Sequence, residues 1–302
     1  MQNHTKGIIY ASITAFFWGF LPIALKVAVQ EIEPITIVWF RFAVAFLMLA
    51  GWQLAKNPSS FKLLIKPPLL LVLTAIALSW NYFGYMLGIH YTTPSNAQLF
   101  IQTGPIMLAI SGFVFFKEKV TRIQILGFAI AILGLTFFYH DQLSVFADSN
   151  GNYNIGVLIT LTAALAWATY AALQKKLVSK YSTKSLNLFL FALPMIIYFP
   201  FINLSPLFNL SWLWLLLLFF LGANTFIAYT ALAEALKYTD ASIVSIIIII
   251  NPIITFITMG ILTEMDVSWV AHEHFSMITI LGASLVVAGI FLVARKSKKR
   301  KS

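Results

Sequence analysis

Apolar residues run along this chain in long blocks, broken by short polar stretches. A helix needs roughly 20 apolar residues to cross the hydrocarbon core of a bilayer. Ten blocks meet that length: 7–29, 34–55, 68–89, 94–116, 122–140, 155–174, 186–203, 212–233, 241–262 and 276–294. The pattern predicts an all-α integral membrane protein of ten transmembrane helices. The connections 30–33, 90–93 and 117–121 are short enough to force antiparallel hairpins on the helices they join.

Composition agrees. Of the 302 residues 60% are hydrophobic and 10% charged, against about 25% charged in ordinary soluble chains. So few charges cannot cover a water-facing surface, and lipid is the expected solvent. Gly7 to Val29 is too long for the apolar core of a signal peptide and no A-x-A-like cleavage site follows it, so it reads as the first span. The chain has no cysteine, which removes disulfides, thiolate chemistry and cysteine-ligated metals.

The net charge of +10 raises nucleic acid as a partner, but the basic residues sit in short loops between spans. With the N-terminus in the cytoplasm and the spans alternating, every Lys and Arg except Lys26 and Arg41 falls on the cytoplasmic side, six of them in the tail Arg295–Lys301. The opposite loops hold none, and carry Glu31, Glu33, Asp141, Asp148, Glu264, Asp266 and Glu273. This is the bias expected of cytoplasmic loops. It predicts a multi-pass protein of the cell (inner) membrane, with both termini cytoplasmic and a basic tail that also suits anionic lipid.

The second half echoes the first. TAFFWGFLPIALK (14–26) aligns with AALAWATYAALQK (163–175), setting Trp18 on Trp167 and Lys26 on Lys175. YTTPSNAQLFIQTGP (91–105) aligns with YTDASIVSIIIIINP (238–252), setting Tyr91, Ser95 and Pro105 on Tyr238, Ser242 and Pro252. ILGFAIAILG (125–134) aligns with ILGASLVVAG (280–289), and the changed offset implies an insertion near His272–Phe275. Five spans per half is an odd number, so the halves run oppositely through the membrane, as two inverted five-helix repeats. The organisation expected is a first repeat at 1–140, an external linker at 141–154, a second repeat at 155–295 and a basic cytoplasmic tail at 296–302.

The W-G with a late Lys in the first span, Arg41 early in the second, and the Y-T-x-x-S…P block ahead of a Glu resemble the EamA family of the drug/metabolite transporter superfamily. The resemblance covers nearly the whole chain. It implies a ten-helix bundle that exports or exchanges small metabolites by alternating access. Relatives handle amino acids, sugars, nucleotide derivatives or drugs, so the family does not name the substrate.

A carrier must offer polar groups near mid-membrane, because lipid supplies no hydrogen bonds. Asn81 and Tyr82 lie just beyond the centre of the third span, Gln98 and Gln102 one turn apart in the fourth, Asn224 in the eighth and Asn251 in the ninth. They either line a shared polar cavity or cement helices together. Trp18 and Trp167 sit near the centres of matched spans, away from tryptophan's usual interfacial belt. With Tyr85 and Tyr170 they form either packing or an aromatic wall, and such a wall beside neutral amides suits a zwitterion with an apolar side chain.

Pro22, Pro105 and Pro252 are expected to interrupt helices, the matched Pro105 and Pro252 as flex points for gating or as static kinks. Lys26 and Arg41 form an outer gate or attract anionic groups, or else snorkel or pair with Glu31 and Glu33. Lys175 mirrors them at the inner side, with Glu234 as its nearest acidic partner. No carboxylate lies at mid-span, which leans toward facilitated diffusion or exchange.

Other readings are weaker. An integral membrane enzyme, acting on a lipid-linked or small polar substrate, would gather acids, histidines or a metal at one membrane face, and the five histidines are scattered. A channel would repeat pore-lining charges. His272, Glu273 and His274 lack the spacing that converges on one metal. No catalytic residue, metal or cofactor is therefore expected. Gly127, Ala131 and Gly134, with Gly282 and Gly289, give small-residue faces for close packing, within a monomer or across a homodimer.

Overall fold

The computed structural model describes residues 2–92, 94–140, 151–267 and 276–294. Among them there is no strand, only helices joined by turns. In chain order the principal helices are α1 (Gln2–Ala28), α2 (Pro34–Lys56), α3 (Leu69–Tyr91), α4 (Pro94–Ile101), α5 (Thr103–Val114) and α6 (Arg122–Phe138). They continue as α7 (Gly151–Leu177), α8 (Thr183–Tyr198), α9 (Trp212–Tyr238), α10 (Ala241–Ile248), α11 (Asn251–Glu264) and α12 (Met277–Ala294). Residues 141–150 of the expected linker, the expected insertion with the H-E-H stretch at 272–274, and the tail Arg295–Lys301 lie outside the described residues.

Eight helical segments are long and apolar enough to cross a membrane. The expected fifth and tenth spans are shorter apolar helices: α6 has 17 residues and α12 has 18. At 1.5 Å rise per residue, helices of that size reach about 26 Å, a little under the core thickness of about 30 Å. Around the bundle Leu47, Ile76, Leu133, Leu158 and Phe219 stand exposed. A surface of that kind fits lipid as its solvent, and the chain is a multi-pass membrane protein.

Two of the eight segments are broken, and the cause is in the sequence. α4 ends at Ile101, four residues before Pro105, and α10 ends at Ile248, four residues before Pro252. Proline lacks the amide hydrogen that would reach the carbonyl four residues back, and its ring clashes with that carbonyl. The helix stops there and restarts as α5 and α11. Pro22 differs from the expectation: α1 runs through it without interruption, since a long helix absorbs one lost bond as a bend.

α1 packs on α9 and α11, α3 on α7, α2 on α8 and α9, α5 on α7 and α10, and α6 on α12. Thr121 and Gln124 form a reciprocal capping box that starts α6. The small-residue faces of α6 and α12 meet each other inside the chain. A Cβ added at Gly134 would stand 2.6 Å from the Val286 nitrogen, and one at Gly282 2.3 Å from that of Phe138. Only glycine lets these two backbones approach so closely.

Candidate functional site

The two helix breaks face a cavity in the middle of the bundle. It encloses about 90 Å³ of free space. Trp18, Leu21 and Pro22 line it from α1, Arg41 from α2, and Asn81, Tyr82 and Tyr85 from α3. Gln98, Ile101, Gln102 and Pro105 line it around the first break, Trp167 and Tyr229 from α7 and α9, and Ile248 and Asn251 at the second break.

Its polar groups hold one another across the two halves. Asn251 Oδ1 accepts from Gln98 Nε2 at 3.1 Å and from Gln102 Nε2 at 2.8 Å. Tyr85 donates its hydroxyl to Gln98 Oε1 at 2.6 Å. Gln102 Oε1 is left buried without a partner among the described residues. Asn81 Nδ2 donates to the Ala163 carbonyl at 3.0 Å. Aromatic rings meet beside them: the Trp18 ring meets Trp167 edge-on at 5.8 Å and Tyr229 at 5.3 Å. Such pairs add about 0.5–1.5 kcal/mol beyond their buried area.

Arg41 is only 3% exposed. Its Nε donates to Thr225 Oγ1 at 3.1 Å, and its guanidinium lies over the Tyr82 ring at 4.4 Å. The side chain turns into the bundle rather than toward Glu31 and Glu33, because its face of α2 packs on α9. A cation over a desolvated ring gains about 2 kcal/mol; an unpaired charge in the membrane costs more than that.

The structure thus brings together Trp18, Asn81, Tyr82, Tyr85, Gln98, Gln102, Trp167 and Asn251, with Arg41 and Pro105 from the gating set. It leaves the others elsewhere. Tyr170 packs behind the wall on Tyr229 at 5.6 Å. Asn224 Nδ2 donates to the Phe17 carbonyl at 2.6 Å, joining α9 to α1. Pro252 adjoins the lining without entering it. Lys26 is half-buried near the end of α1.

Lys175 donates to the carbonyls of Leu236 and Thr239, while Glu234 accepts from Thr183 Oγ1. The expected Lys175–Glu234 partnership is therefore replaced by two separate contacts. Carbonyls at the end of α9 carry the negative pole of that helix and have no helical donor, so they receive the ammonium.

Sequence reasoning passed over Tyr229 and Glu118. Glu118 bridges the halves: its carboxylate accepts from the amides of Ala241 and Ser242 at 2.7 and 3.1 Å, at the start of α10. A signal was available, since Glu118 is an acid inside the basic stretch Lys117–Arg122. Tyr229 carried none, being one tyrosine among many aromatic residues.

Apolar helices of membrane-crossing length around a polar, aromatic-walled cavity define a membrane transporter. The chain belongs to the EamA-like transporter family, whose sequence profile matches residues 5–139 and again 154–295. It is 31% identical over 294 residues to an uncharacterized transporter of Haemophilus influenzae, covering 97% of this chain and 96% of that one. It is also 31% identical over 291 residues to the uncharacterized inner membrane transporter YhbE of Escherichia coli, covering 95% and 91%. A crystal structure shares the fold with a TM-score of 0.75 at 15% identity, over 96% of this chain and 97% of that one. These likenesses point to a transporter and not to an enzyme.

Proposed function

We propose that the protein exports or exchanges small amphipathic metabolites, amino acids or related compounds, by alternating access. In this reading its ten helices form two inverted five-helix halves, 1–140 and 155–295, joined by an external linker at 141–154. Both termini and the basic tail at 296–302 lie in the cytoplasm. The observation that carries it is one mid-bundle cavity walled by both halves: Trp18, Arg41 and Gln102 from the first, Trp167, Tyr229 and Asn251 from the second.

The packing supports the inverted relation. Exchanging the halves turns the α1–α9 contact into α3–α7 and the α1–α11 contact into α5–α7, and returns the α2–α8 and α6–α12 contacts to themselves. The family profile matches twice, once per half. Rocking two such halves about a central site opens it first to one side and then to the other. Among the described residues no carboxylate lines the cavity, which favours exchange or facilitated diffusion over proton coupling.

The test is counterflow in vesicles reconstituted with the purified chain, loaded with an amino-acid and metabolite mixture and offered labelled members of it. Flux above empty vesicles is expected for at least one member. Trp18→Ala and Gln102→Ala should each cut it about tenfold, the scale of one lost site contact, with the protein still folded in detergent. No flux of any member, or flux indifferent to both substitutions, overturns the reading.

A further inference from the structure

We infer that the substrate is a singly negative amphipathic carboxylate, and that the Arg41 guanidinium anchors its carboxylate group. This rests on the carrier reading above and narrows it. Arg41 is 3% exposed, and among the described residues its only hydrogen bond is from Nε to Thr225 Oγ1 at 3.1 Å. The Tyr82 ring covers the guanidinium at 4.4 Å, which offsets part of the charge but accepts none of the remaining N–H groups. Those groups belong to the two terminal nitrogens, and Arg41 is part of the cavity lining. A buried cation without a partner is costly enough that some anion should complete it. The rest of the lining is neutral, so the described residues supply no such anion there.

The charge count then discriminates among ligands. A guanidinium presents parallel N–H donors that match the two oxygens of a carboxylate. One cation balances a carboxylate but only half of a doubly charged phosphate ester. A zwitterion would add an ammonium, and the cavity has little to receive it. Asn251 Oδ1 already accepts two bonds and Gln98 Oε1 one, leaving Gln102 Oε1 and Asn81 Oδ1, both neutral. The amino-acid expectation therefore shifts to organic acids without a compensating amine. Trp18, Trp167 and Tyr229 are left to cover the apolar remainder.

Calorimetry on the purified full-length chain in detergent tests this with 3-phenylpropionate, phenylalanine, 3-phenylpropanamide and phenethylamine, which share a ring and differ in charge. The acid should bind at least about tenfold tighter than its amide, the scale of one charge-assisted hydrogen bond, with phenylalanine between them and the amine weakest. Arg41→Gln should bring the acid-to-amide ratio to about one while leaving amide affinity in place. Arg41→Lys, which keeps the charge without the fork, should retain a reduced preference. A purely structural arginine would weaken all four probes alike.

The inference is overturned if the acid binds no better than the amide, failure of the acid to bind included, or if the ratio survives Arg41→Gln. Should Arg41→Gln not fold, the wild-type series and Arg41→Lys still decide. Flux separates the two readings. Acid binding without counterflow of any metabolite removes the carrier and leaves the anchor, while counterflow with no acid preference removes the anchor and leaves the carrier.

Discussion

Lys26 and Lys175 hold matched places in the two halves, late in α1 and late in α7, yet their surroundings differ. Lys175 Nζ donates to the Leu236 carbonyl at 2.8 Å and to the Thr239 carbonyl at 2.5 Å. Around it Glu118 caps α10, His4 Nδ1 lies 2.9 Å from Thr239 Oγ1, and Tyr10 stacks on Tyr238 at 6.2 Å. Four separate stretches of chain are tied at that corner. Lys26 makes no hydrogen bond or ion pair among the described residues. One sequence element is therefore tied by hydrogen bonds, and its twin is tied by none among the described residues. By the repeat offset, the carbonyls matching those of Leu236 and Thr239 belong to Ile89 and Thr92, which is where a second closure would form.

The difference can be broken experimentally, because a chain without cysteine reports cleanly on any cysteine added. Ser242→Cys places a thiol at the tied corner, where Ser242 is 6% exposed. The largest effect is expected from Lys175→Met. It removes two hydrogen bonds from a charged donor, each worth about 1.5–3 kcal/mol, and thiol labelling at 242 should rise by at least about tenfold. Labelling that does not rise would mean the lysine is no tie.

Glu118→Gln keeps an acceptor but loses its charge at the positive pole of α10, a loss of about 1 kcal/mol. Labelling should then rise about fivefold, and an unchanged rate would leave Glu118 a bystander. Lys26→Met sharpens the comparison from the other side. Labelling at 242 should stay as it was, while vesicle counterflow should fall severalfold, since the second closure loses its lysine; intact flux would refute the mirrored role.

The smallest effect is that of pH. Burial, with Glu118 nearby, pushes the Asp240 carboxyl above its usual value, against the opposing pull of Lys175 and His4. The tied corner therefore binds a proton more readily than an open one. Its handicap is full above the raised value and fades as pH falls toward the ordinary carboxylate range. Labelling at 242, normalised to a cysteine at the exposed Ser179, should slow modestly on acidification; faster labelling would reverse the sign.

The apolar blocks were readable from sequence, and direction around each helix was not. Block lengths located the crossings, and Pro105 and Pro252 each foretold a break, because proline acts on its own backbone. The fifth and tenth spans came out short, since an apolar residue past a helix end looks the same as one within it. Arg41, Asn224 and Tyr170 all lie within apolar blocks that the sequence marks out. Only packing decides that Arg41 faces the cavity, that Asn224 ties α9 to α1, and that Tyr170 sits behind Tyr229. Glu118 was hidden for another reason. Its partners are backbone amides 123 and 124 residues away, and no local pattern announces them.

The glycine contact between α6 and α12 bears on how such a molecule can move. At Gly127, Gly134, Gly282 and Gly289 even a single added carbon would collide with the opposite helix. That edge has no room for one half to press closer to the other. If the halves rock, the pair is the fulcrum, and every displacement at the cavity is leverage taken about it.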